Sequence, residues 1–497
     1  MKGNMLNMID SFLFSRNVSL NINGVRNVER PCMDYGLPQG SALSPILFKI
    51  YLLDIAEELL NNPEVEVYKF ADDGTFKVSA QTTQKCLSTM DQVLKCLKEW
   101  TDKWRMIINC QPNKTEMICF GKAEGSDTVI PDSFPIGDKN IKLVSCTKVL
   151  GLEVDESLSY NQHSTSVYNK ILGRWATICK YSNRHWGLSQ RVMTQLMKTL
   201  VISCICYAGH IWIKPNNTKD IDTVWYKILK SSVGAVFNIR RSTAEIIVGI
   251  PPLQIINQIH RIKHILKLRV CPTPGDRLLQ FINNCNLDTS KSPIELFNYI
   301  KQVYKFLSWK LTNHPECFTE KDVDIVTSGS ANRFHELTPK SCSYNKSQIT
   351  RYTELLWKKN IINEYQMEGY SHLPSPSCSN LPIPVSVARD VEVKLMSLFY
   401  TNNLCNSFLY RVSRVPSPLC SDCGLEEETP YHIVLNCPKV DPELRARAMS
   451  ILTDINGEEG VIQEDTVTLL NGSRDHKFID VCLKIVESAI MRDSIEL

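Results

Sequence analysis

The first 120 residues switch between two spacings of apolar side chains. Apolar positions recur every three or four residues from Met5 toward Arg16 and again after Ser44, which is expected to cap a helix with Pro45 at its first position. Short apolar runs on either side of Asp72-Asp73-Gly74 predict two strands joined by an Asp-Gly turn. The predicted elements are, in order, a helix over 5–16, a strand pair around Asn23-Gly24, a helix from Ser44 to about Ile55, the hairpin over 65–78, a helix over 83–104 and a strand over 117–120. This order favours an α+β sheet domain.

The spacing becomes helical further along the chain. Helices are predicted over 157–235 and over 251–270. The second helix has isoleucines on one side and basic residues on the other, and these define a basic face: His260, Lys263, His264 and Lys267. A solvated face on a packed helix and a contact to a phosphate backbone both fit this pattern. Two stretches, 320–350 and 371–386, are rich in Ser, Pro and Asn and are expected to be linkers or long loops.

The composition narrows the classes of protein to consider. A chain of 497 residues is long enough for about three or four domains, and 43% hydrophobic with 22% charged residues is typical of folded proteins. A net charge of +3 is only mildly basic, so a nucleic-acid-binding surface must be a local concentration of charge. The 19 cysteines are scattered, and neither a secretory leader nor a membrane-spanning apolar run is present. We therefore expect no membrane association and a reducing location, cytoplasmic or nuclear and not secreted.

The adjacent carboxylates Asp72 and Asp73 are the most informative pair in this first region. Two neighbouring carboxylates on a tight turn repel each other, so most such turns are ordinary solvated surface turns. In a groove, the same pair forms a hard anionic oxygen site that suits Mg²⁺. Two such ions can activate an attacking hydroxyl and stabilise a leaving oxygen in phosphoryl transfer.

Four sequence blocks lie at and around these aspartates: Gly36-Leu37-Pro38-Gln39-Gly40-Ser41 through Pro45, Phe70-Ala71-Asp72-Asp73, Asn109 to Glu116, and Lys148 to Asp155 with the following Leu158-Ser159-Tyr160. In this order they resemble motifs B, C, D and E of the reverse transcriptases of non-LTR (LINE or jockey-type) retrotransposons. They occur in the family's order and at its spacing. The variants Ala71 and Lys114-Thr115 resemble the non-LTR branch more than the retroviral one.

The resemblance implies a role for each matching residue. Asp72 and Asp73 would bind the catalytic Mg²⁺ ions of a two-metal site, and Lys114 would lie near the triphosphate as a catalytic residue. Gly151 would lie at the primer-grip turn. The remaining matches would line the site of the template and the incoming nucleotide: Pro38, Gln39, Gly40, Ser41 and Phe70. The implied partners are an RNA template, a DNA primer and dNTPs, and protein partners are not indicated.

One catalytic residue of that family has no match. Only 35 residues precede Gly36, and the only aspartates among them, Asp10 and Asp34, lie in a predicted helix and next to the motif B loop. Neither is a plausible third carboxylate of motif A, so we expect an N-terminally truncated polymerase with little or no activity. The alternatives are a non-catalytic nucleic-acid-binding remnant of the element, or an inert pseudogene product.

A second cluster near the C-terminus has the spacing of a metal site. Cys420, Cys423, His432 and Cys437 form a Cys-x2-Cys-x8-His-x4-Cys pattern, which in a reducing compartment favours a structural, four-coordinate Zn²⁺ site. We expect the metal to supply folding free energy outright, because small knuckles have little core. The alternative is three unrelated thiols and an imidazole in a helical tail.

This cluster also resembles the C-terminal Cys-Cys-His-Cys motif of non-LTR reverse transcriptases. The neighbouring residues that could bind RNA by stacking and by phosphate contact are Tyr410, Arg411, Arg414 and Lys439. A purely structural knuckle fits equally well. Residues 270–400 contain no Asp-Gly-Ser strand or carboxylate set of the RNase H type.

The resulting fold prediction is α+β, with five consecutive regions. They are a partial palm (1–125), motif E with a helical thumb (140–240), a helical connection region with loops (241–400), the zinc knuckle (401–445) and a helical tail (446–497).

Overall fold

The computed structural model divides the chain into two compact units, Met1–Ser159 and Tyr160–Leu497. It describes residues 3–487 except 15, 20, 27–29, 32–35, 58, 60–61, 122–128, 182, 184–185, 215–216, 235–238, 272–293, 330, 367–376, 378–382, 384–386, 402–404 and 457–474. Among the described residues, no helix is both long enough and apolar enough to cross a membrane.

The first unit combines three helices with short strands. Its helices are α1 (Asn4–Leu13), α2 (Ser44–Tyr51) and α3 (Thr83–Trp104), with a 3-10 turn at Leu53–Ala56. Its strands are β1 (Asn17–Val18), β2 (Asn21–Ile22), β3 (Val25–Arg26), β4 (Arg30–Pro31), β5 (Val65–Phe70), β6 (Asp73–Val78), β7 (Glu116–Met117), β8 (Ser133–Ile136), β9 (Lys139–Leu143), β10 (Cys146–Val149) and β11 (Leu152–Asp155). The predicted mixture of helix and sheet is confirmed.

The strands of this unit pair in small antiparallel groups. Four two-stranded sheets join β1 with β4, β2 with β3, β5 with β6, and β10 with β11. In the fifth sheet, β9 lies between β7, to which it is parallel, and β8, to which it is antiparallel. The core forms where the apolar side of α3 packs on β8 and β9. Its buried members are Leu59, Val65, Val93, Leu94, Leu97, Phe134, Ile136 and Ile141.

Three local predictions in this unit need correction. The hairpin loop is Ala71-Asp72, because Phe70 pairs with Asp73, so Asp73 and Gly74 belong to β6 and do not form the turn. Ser44 is the first residue of α2, and its hydroxyl bonds to the preceding loop instead of capping the helix. The strand expected over 117–120 is confined to Glu116–Met117.

The described part of the second unit consists of helices joined by turns and loops. Its helices are α4 (Asn161–Cys179), α5 (Gln190–Leu196), α6 (Ser203–Cys206), α7 (Gly209–Trp212), α8 (Lys219–Val233), α9 (Arg241–Val248), α10 (Leu253–Val270), α11 (Ile294–Asn313), α12 (Glu320–Ser328), α13 (Pro339–Cys342), α14 (Lys346–Gln366), α15 (Arg389–Met396), α16 (Asn406–Arg411), α17 (Pro442–Asn456) and α18 (His476–Ile485). Wide turns of π-helix continue α5 and α15 and cover His432–Asn436, and 3-10 turns cover Pro315–Cys317 and Ala331–Glu336. The predicted helical character of 157–235 and the helix over 251–270 are confirmed.

The prediction of a loop over 320–350 is wrong. This stretch forms α12, α13 and the start of α14, because its polar residues cap helices. Thr319 and Asp322 form a reciprocal capping box at the start of α12, and Thr338 caps α13. Between these caps, the apolar residues are buried against α10 and α11, including Ile325, Val326, Phe334 and Leu337. The other loop prediction, 371–386, falls almost entirely outside the described residues.

The basic face of α10 is not freely solvated. Of its four residues only Lys267 is exposed, and the other three are half-buried. His264 stacks on His210 of α7 at a ring-centroid distance of 4.1 Å. Burial lowers the pKa of His260 and of Lys263, which follows from the cost of placing a charge away from water.

Candidate functional site

The loop over 36–41 has a backbone that only glycine adopts readily at two of its positions. Gly36 and Gly40 have φ of 80° and 88°, in the left-handed region where a side chain strains the backbone. They bracket Pro38 and Gln39, and the Gln39 side chain is exposed. Gly36 and Gly40 thus lie on either side of a short segment directly before α2, in which Gln39 is exposed.

Two serines fasten this loop to the start of α2. The Ser44 hydroxyl donates a 2.6 Å hydrogen bond to the carbonyl of Pro38, and the Ser41 hydroxyl accepts one from the backbone N–H of Leu43. Ser44 is buried although it is polar, and the bond to Pro38 satisfies its hydroxyl. The first turn of α2 therefore helps to set the loop conformation.

The two aspartates lie at the tip of the β5–β6 hairpin. Asp72 is the second residue of the two-residue loop and Asp73 the first residue of β6, and both are exposed. Ala71 has φ of 53° at the loop position where such hairpins commonly use glycine. Phe70, which pairs with Asp73, is 66% exposed. The tip thus presents two exposed carboxylates beside an aromatic side chain that is mostly exposed.

Lys69 links the hairpin to α2, a role that the sequence pattern did not reveal. Its Nζ donates hydrogen bonds to the carbonyls of Leu52 (3.0 Å) and Leu53 (3.1 Å), just after α2 ends. A cation there also interacts favourably with the negative end of the helix. The loop over 36–41 lies at the opposite end of α2, about 12 Å away along an eight-residue helix. The loop over 36–41 therefore precedes the start of α2, and the β5–β6 hairpin is hydrogen-bonded to the residues that follow the end of α2.

Asp54 fixes the same region to α3. Its carboxylate accepts hydrogen bonds from the indole N–H groups of Trp100 (2.8 Å) and Trp104 (3.1 Å). The bond from Trp100 is the main cause of the lowered pKa of this carboxyl. Tyr51 packs edge-on against Trp104 at a ring-centroid distance of 5.2 Å. The hairpin, α2 and α3 are therefore connected by specific polar contacts.

The other predicted residues of this unit lie on different sheets. Lys114 is exposed in a turn before β7, which pairs with β9 and not with the aspartate hairpin. Gly151 and Leu150 form the loop between β10 and β11, both with positive φ (85° and 47°), as a type I′ hairpin turn requires. The sequence thus predicted the turn at Gly151, while the placement of Lys114 near the triphosphate stays a prediction.

The structure does not complete the carboxylate site. Within the part of the chain that the structure describes, one group of three or more potential ligands lies close enough to share a metal ion, and it does not include Asp72 or Asp73. The carboxylate oxygens are the donor type that Mg²⁺ prefers, but two residues are not a complete set. Asp10 lies on α1, and Asp34 is outside the described residues.

That one group is the Cys-His cluster predicted from the sequence. The ligand atoms of Cys420, Cys423, His432 and Cys437 all lie within 4.8 Å of one another. The Sγ atoms of Cys420 and Cys437 are 4.0 Å apart, and Cys423 Sγ is 3.3 Å from His432 Nε2. Tetrahedral bonds of about 2.3 Å place ligand atoms roughly 3.7 Å apart, so the donor set and its spacing fit a four-coordinate metal ion.

The thiols of this cluster differ in their surroundings. Cys420 and Cys437 are buried, and burial raises the pKa of the Cys420 thiol to about 12. The half-buried Cys423 has its pKa lowered to about 7. Burial by itself raises that pKa. The hydrogen bonds that the thiolate accepts, beginning with the one from the Leu425 N–H, lower the pKa by more than burial raises it. A metal ion in this cluster would have to displace the thiol protons, because it binds the thiolate form.

The cluster is part of a larger apolar core, contrary to the expectation that it has little core of its own. Cys420 and Cys437 pack with residues of α15, α17 and α18. The other buried members include Phe399, Tyr431, Val434, Leu452, Phe478, Val481 and Ile485. The folding free energy of this region therefore comes from apolar burial as well as from any bound metal.

Two glutamates between the second and third ligands hold the cluster. Glu428 is 6% exposed and accepts hydrogen bonds from Ser421, between the first two cysteines, and from Asn406 on α16. Glu426 is more exposed and accepts a 2.8 Å hydrogen bond from Nδ1 of His432. The sequence analysis did not assign either residue, because their partners are not visible in the ligand spacing.

Several exposed residues that flank the cluster in the sequence are basic or aromatic. Tyr410 is 49% exposed at the end of α16. Arg411, Arg414 and Lys439, the other residues expected to contact RNA, are also exposed. Stacking groups next to cations are the features that nucleic-acid-binding surfaces use.

Residues 3–154 match the reverse transcriptase (RNA-dependent DNA polymerase) family. The segment contains the glycine-bracketed loop, the aspartate hairpin and the β10–β11 turn. The predicted resemblance of these motifs to reverse transcriptases is thereby confirmed.

The chain is also similar to curated proteins of non-LTR retrotransposons. It is 25% identical over 191 residues to the "Retrovirus-related Pol polyprotein from type-1 retrotransposable element R1" of Bradysia coprophila. The aligned residues are 38% of this chain and 18% of that protein. It is 21% identical over 252 residues, half of its length, to the "RNA-directed DNA polymerase from mobile element jockey" of Drosophila melanogaster, of which this is 27%. A similar protein in Drosophila funebris is 27% identical over 213 residues, 41% of this chain and 22% of that protein. The chain thus spans less than a third of the length of each of these relatives.

Proposed function

We propose that this chain is a portion of a non-LTR retrotransposon RNA-directed DNA polymerase, acting on an RNA template, a DNA primer and dNTPs. The observation that carries the proposal is the hairpin tip, where Asp72 and Asp73 stand exposed beside Phe70, in a segment that matches the family. In this proposal, residues 1–125 are a partial palm and 140–240 carry motif E and the thumb. Residues 241–400 are a connection region, 401–445 a zinc knuckle and 446–497 a helical tail.

In this proposal, each residue that matches a motif of the family has one role. Asp72 and Asp73 hold Mg²⁺, which would supply charge neutralisation for phosphoryl transfer. Gln39 and the backbone at Pro38, Gly40 and Ser41 contact the template and the incoming nucleotide, since Gln39 is exposed between Gly36 and Gly40. Phe70 lies beside the nucleotide, and Lys114 neutralises charge on the leaving pyrophosphate.

We propose further that these 497 residues alone catalyse little or no primer extension. A two-metal site needs a carboxylate that bridges both ions, and two adjacent aspartates provide neither the bridge nor enough ligands. The proposal is supported by the absence of Asp72 and Asp73 from any three-ligand group among the described residues.

At the C-terminus, we propose that Cys420, Cys423, His432 and Cys437 bind a structural Zn²⁺. The support is the donor set of three thiols and one imidazole, whose ligand atoms lie within 4.8 Å of one another. All four positions are filled by protein, so this metal takes no part in catalysis.

The first test is primer extension by the purified chain on an RNA template with a DNA primer, dNTPs and Mg²⁺. The control is the double variant Asp72→Asn, Asp73→Asn. We expect salt-sensitive binding of the primer–template and no extension above the control. Extension that the control loses would disprove the impairment. Failure of the folded chain to bind primer–template would contradict the polymerase proposal itself.

A second candidate function is nucleic-acid binding without catalysis, favoured by the exposed Tyr410 and its neighbours Arg411 and Arg414. If this surface is the main binding site, Tyr410→Ala with Arg414→Ala should weaken RNA binding and reduce its dependence on salt. If Gln39→Ala in the 36–41 loop weakens binding more, the polymerase segment is the main site.

A further inference from the structure

The imidazole of His432 is held from both of its nitrogens. Nε2 faces the Sγ of Cys423 at 3.3 Å, and Nδ1 is 2.8 Å from Oε2 of Glu426. The ring is only 3% exposed. It therefore cannot turn its other edge toward the cluster without losing the Glu426 contact in a site that offers little water to replace it.

These contacts decide which nitrogen binds a metal ion. A carboxylate only accepts hydrogen bonds, so the proton of the neutral ring lies on Nδ1, and the lone pair on Nε2 points at the thiols. Outer carboxylates that accept from a ligating histidine fix its tautomer and raise its basicity.

Glu426 is itself anchored to the ligand loop. Its carbonyl accepts a 2.8 Å hydrogen bond from the backbone N–H of Cys420, and the neighbouring residue, Glu427, pairs with Leu419 across the same turn. The backbone that carries the carboxylate is thus tied to the first metal ligand, while the side chain, 62% exposed, reaches the third.

We propose that Glu426 is a positioning residue for the metal site, holding His432 so that Nε2 is the ligand. The proposal rests on the proposed metal binding by the four-residue cluster. The rival explanation is an ordinary surface ion pair between Glu426 and a protonated His432, which would oppose metal binding, because a protonated imidazole is not a ligand.

The experiment measures Co²⁺ and Zn²⁺ affinity of the full chain by competition with a chromophoric chelator. The variants are Glu426→Gln and Glu426→Ala, and the matched control is Glu427→Ala, which removes an equal charge from the adjacent exposed residue. We expect Glu426→Ala to weaken metal binding roughly 10- to 100-fold. Glu426→Gln should weaken it less, because the amide oxygen can still accept from Nδ1, and Glu427→Ala should bind like the parent chain.

Two readouts separate this role from a structural one. The visible spectrum of the Co²⁺ complex should remain tetrahedral in every variant, and the melting temperature of the metal-free chain should not change. Equal affinities for Glu426→Ala and Glu427→Ala would overturn the proposal. If the parent chain itself binds neither metal, the proposed zinc site fails as well, and that outcome is visible before any variant is compared.

Discussion

Removing the carboxylate of Glu428 should strongly destabilise the loop that carries Cys420 and Cys423. The carboxylate accepts from the backbone N–H of Asn406 (3.0 Å), the Asn406 side chain (3.3 Å), the backbone N–H of Ser421 (2.9 Å) and the Ser421 hydroxyl (2.7 Å). In Glu428→Ala all four donors lose their acceptor at once.

The magnitude follows from how well water can replace the lost acceptor. A hydrogen bond to a charged group contributes about 1.5–3 kcal/mol, which applies to the half-buried Asn406 N–H. The Ser421 donors are nearer the surface and should together cost about 0.5–1.5 kcal/mol, giving a total of about 2–4.5 kcal/mol. At about 1.4 kcal/mol per tenfold, local opening should become roughly 30- to 1,600-fold more frequent.

Hydrogen exchange is the suitable assay, because no tryptophan follows Trp357 and intrinsic fluorescence does not report on this region. Peptides covering Asn406 and Ser421 should exchange faster in Glu428→Ala by that factor, in a metal-free buffer with chelator. Glu427→Ala is again the control and should leave the rates unchanged. Unchanged protection in Glu428→Ala would refute the reasoning, since it would mean that these bonds do not hold the loop.

Three further predictions concern other parts of the chain. Lys69→Met should speed hydrogen exchange across the β5–β6 hairpin, because the carbonyls after α2 lose their cation, whereas Lys77→Met, which removes only an exposed ion pair, should not. Glu392→Ala should lower the free energy of unfolding of the second unit by about 3–5 kcal/mol in denaturant titrations followed by tryptophan fluorescence, because it leaves Arg389 buried without its partner. Burial, reinforced by nearby cations, lowers the pKa of His210 to about 4, so the chain should lose stability as pH falls from about 6.5 toward 4. The melting temperature of His210→Gln should depend less on pH in that window than the melting temperature of the parent chain. An equal pH dependence of the two proteins would contradict this assignment.

Elements set by local periodicity were predictable from the sequence. The helix expected over 83–104 is Thr83–Trp104, and the one expected over 251–270 is Leu253–Val270. Three glycines also marked loops or turns correctly, since Gly36, Gly40 and Gly151 all adopt positive φ, whereas Gly74 lies in β6 and not in the predicted turn. These features depend on residues within one or two turns of each other, which is the range that a sequence pattern describes.

Polar residues were harder to interpret, because the same residue types favour loops and helix caps. Thr319, Thr338 and Asn345 each accept or exchange hydrogen bonds at the start of a helix, and the apolar residues between them are buried. A Ser- and Asn-rich composition therefore did not distinguish several short capped helices from one long loop.

Contacts between distant residues could not be predicted at all. Lys310 is almost fully buried, and its amine donates hydrogen bonds to the carbonyls of Ser341 and Ser343, about thirty positions away. These bonds replace the water that the buried amine has lost. Lys69 and Glu428 likewise act on segments that only the fold brings near. The spacing of Cys420, Cys423, His432 and Cys437 predicted that these four residues lie together, but it did not predict the glutamates that hydrogen-bond to His432 and Ser421.

We propose that Asp72 and Asp73 are the metal-binding carboxylates of the polymerase site. To test this role, the aligned segment of this chain would replace the corresponding segment of the jockey RNA-directed DNA polymerase of Drosophila melanogaster, and RNA-templated primer extension would be measured. We expect the graft to extend the primer, and the graft that carries Asp72→Asn to lose extension while it still binds primer–template. Equal extension with and without that substitution would show that Asp72 does not hold a catalytic metal ion.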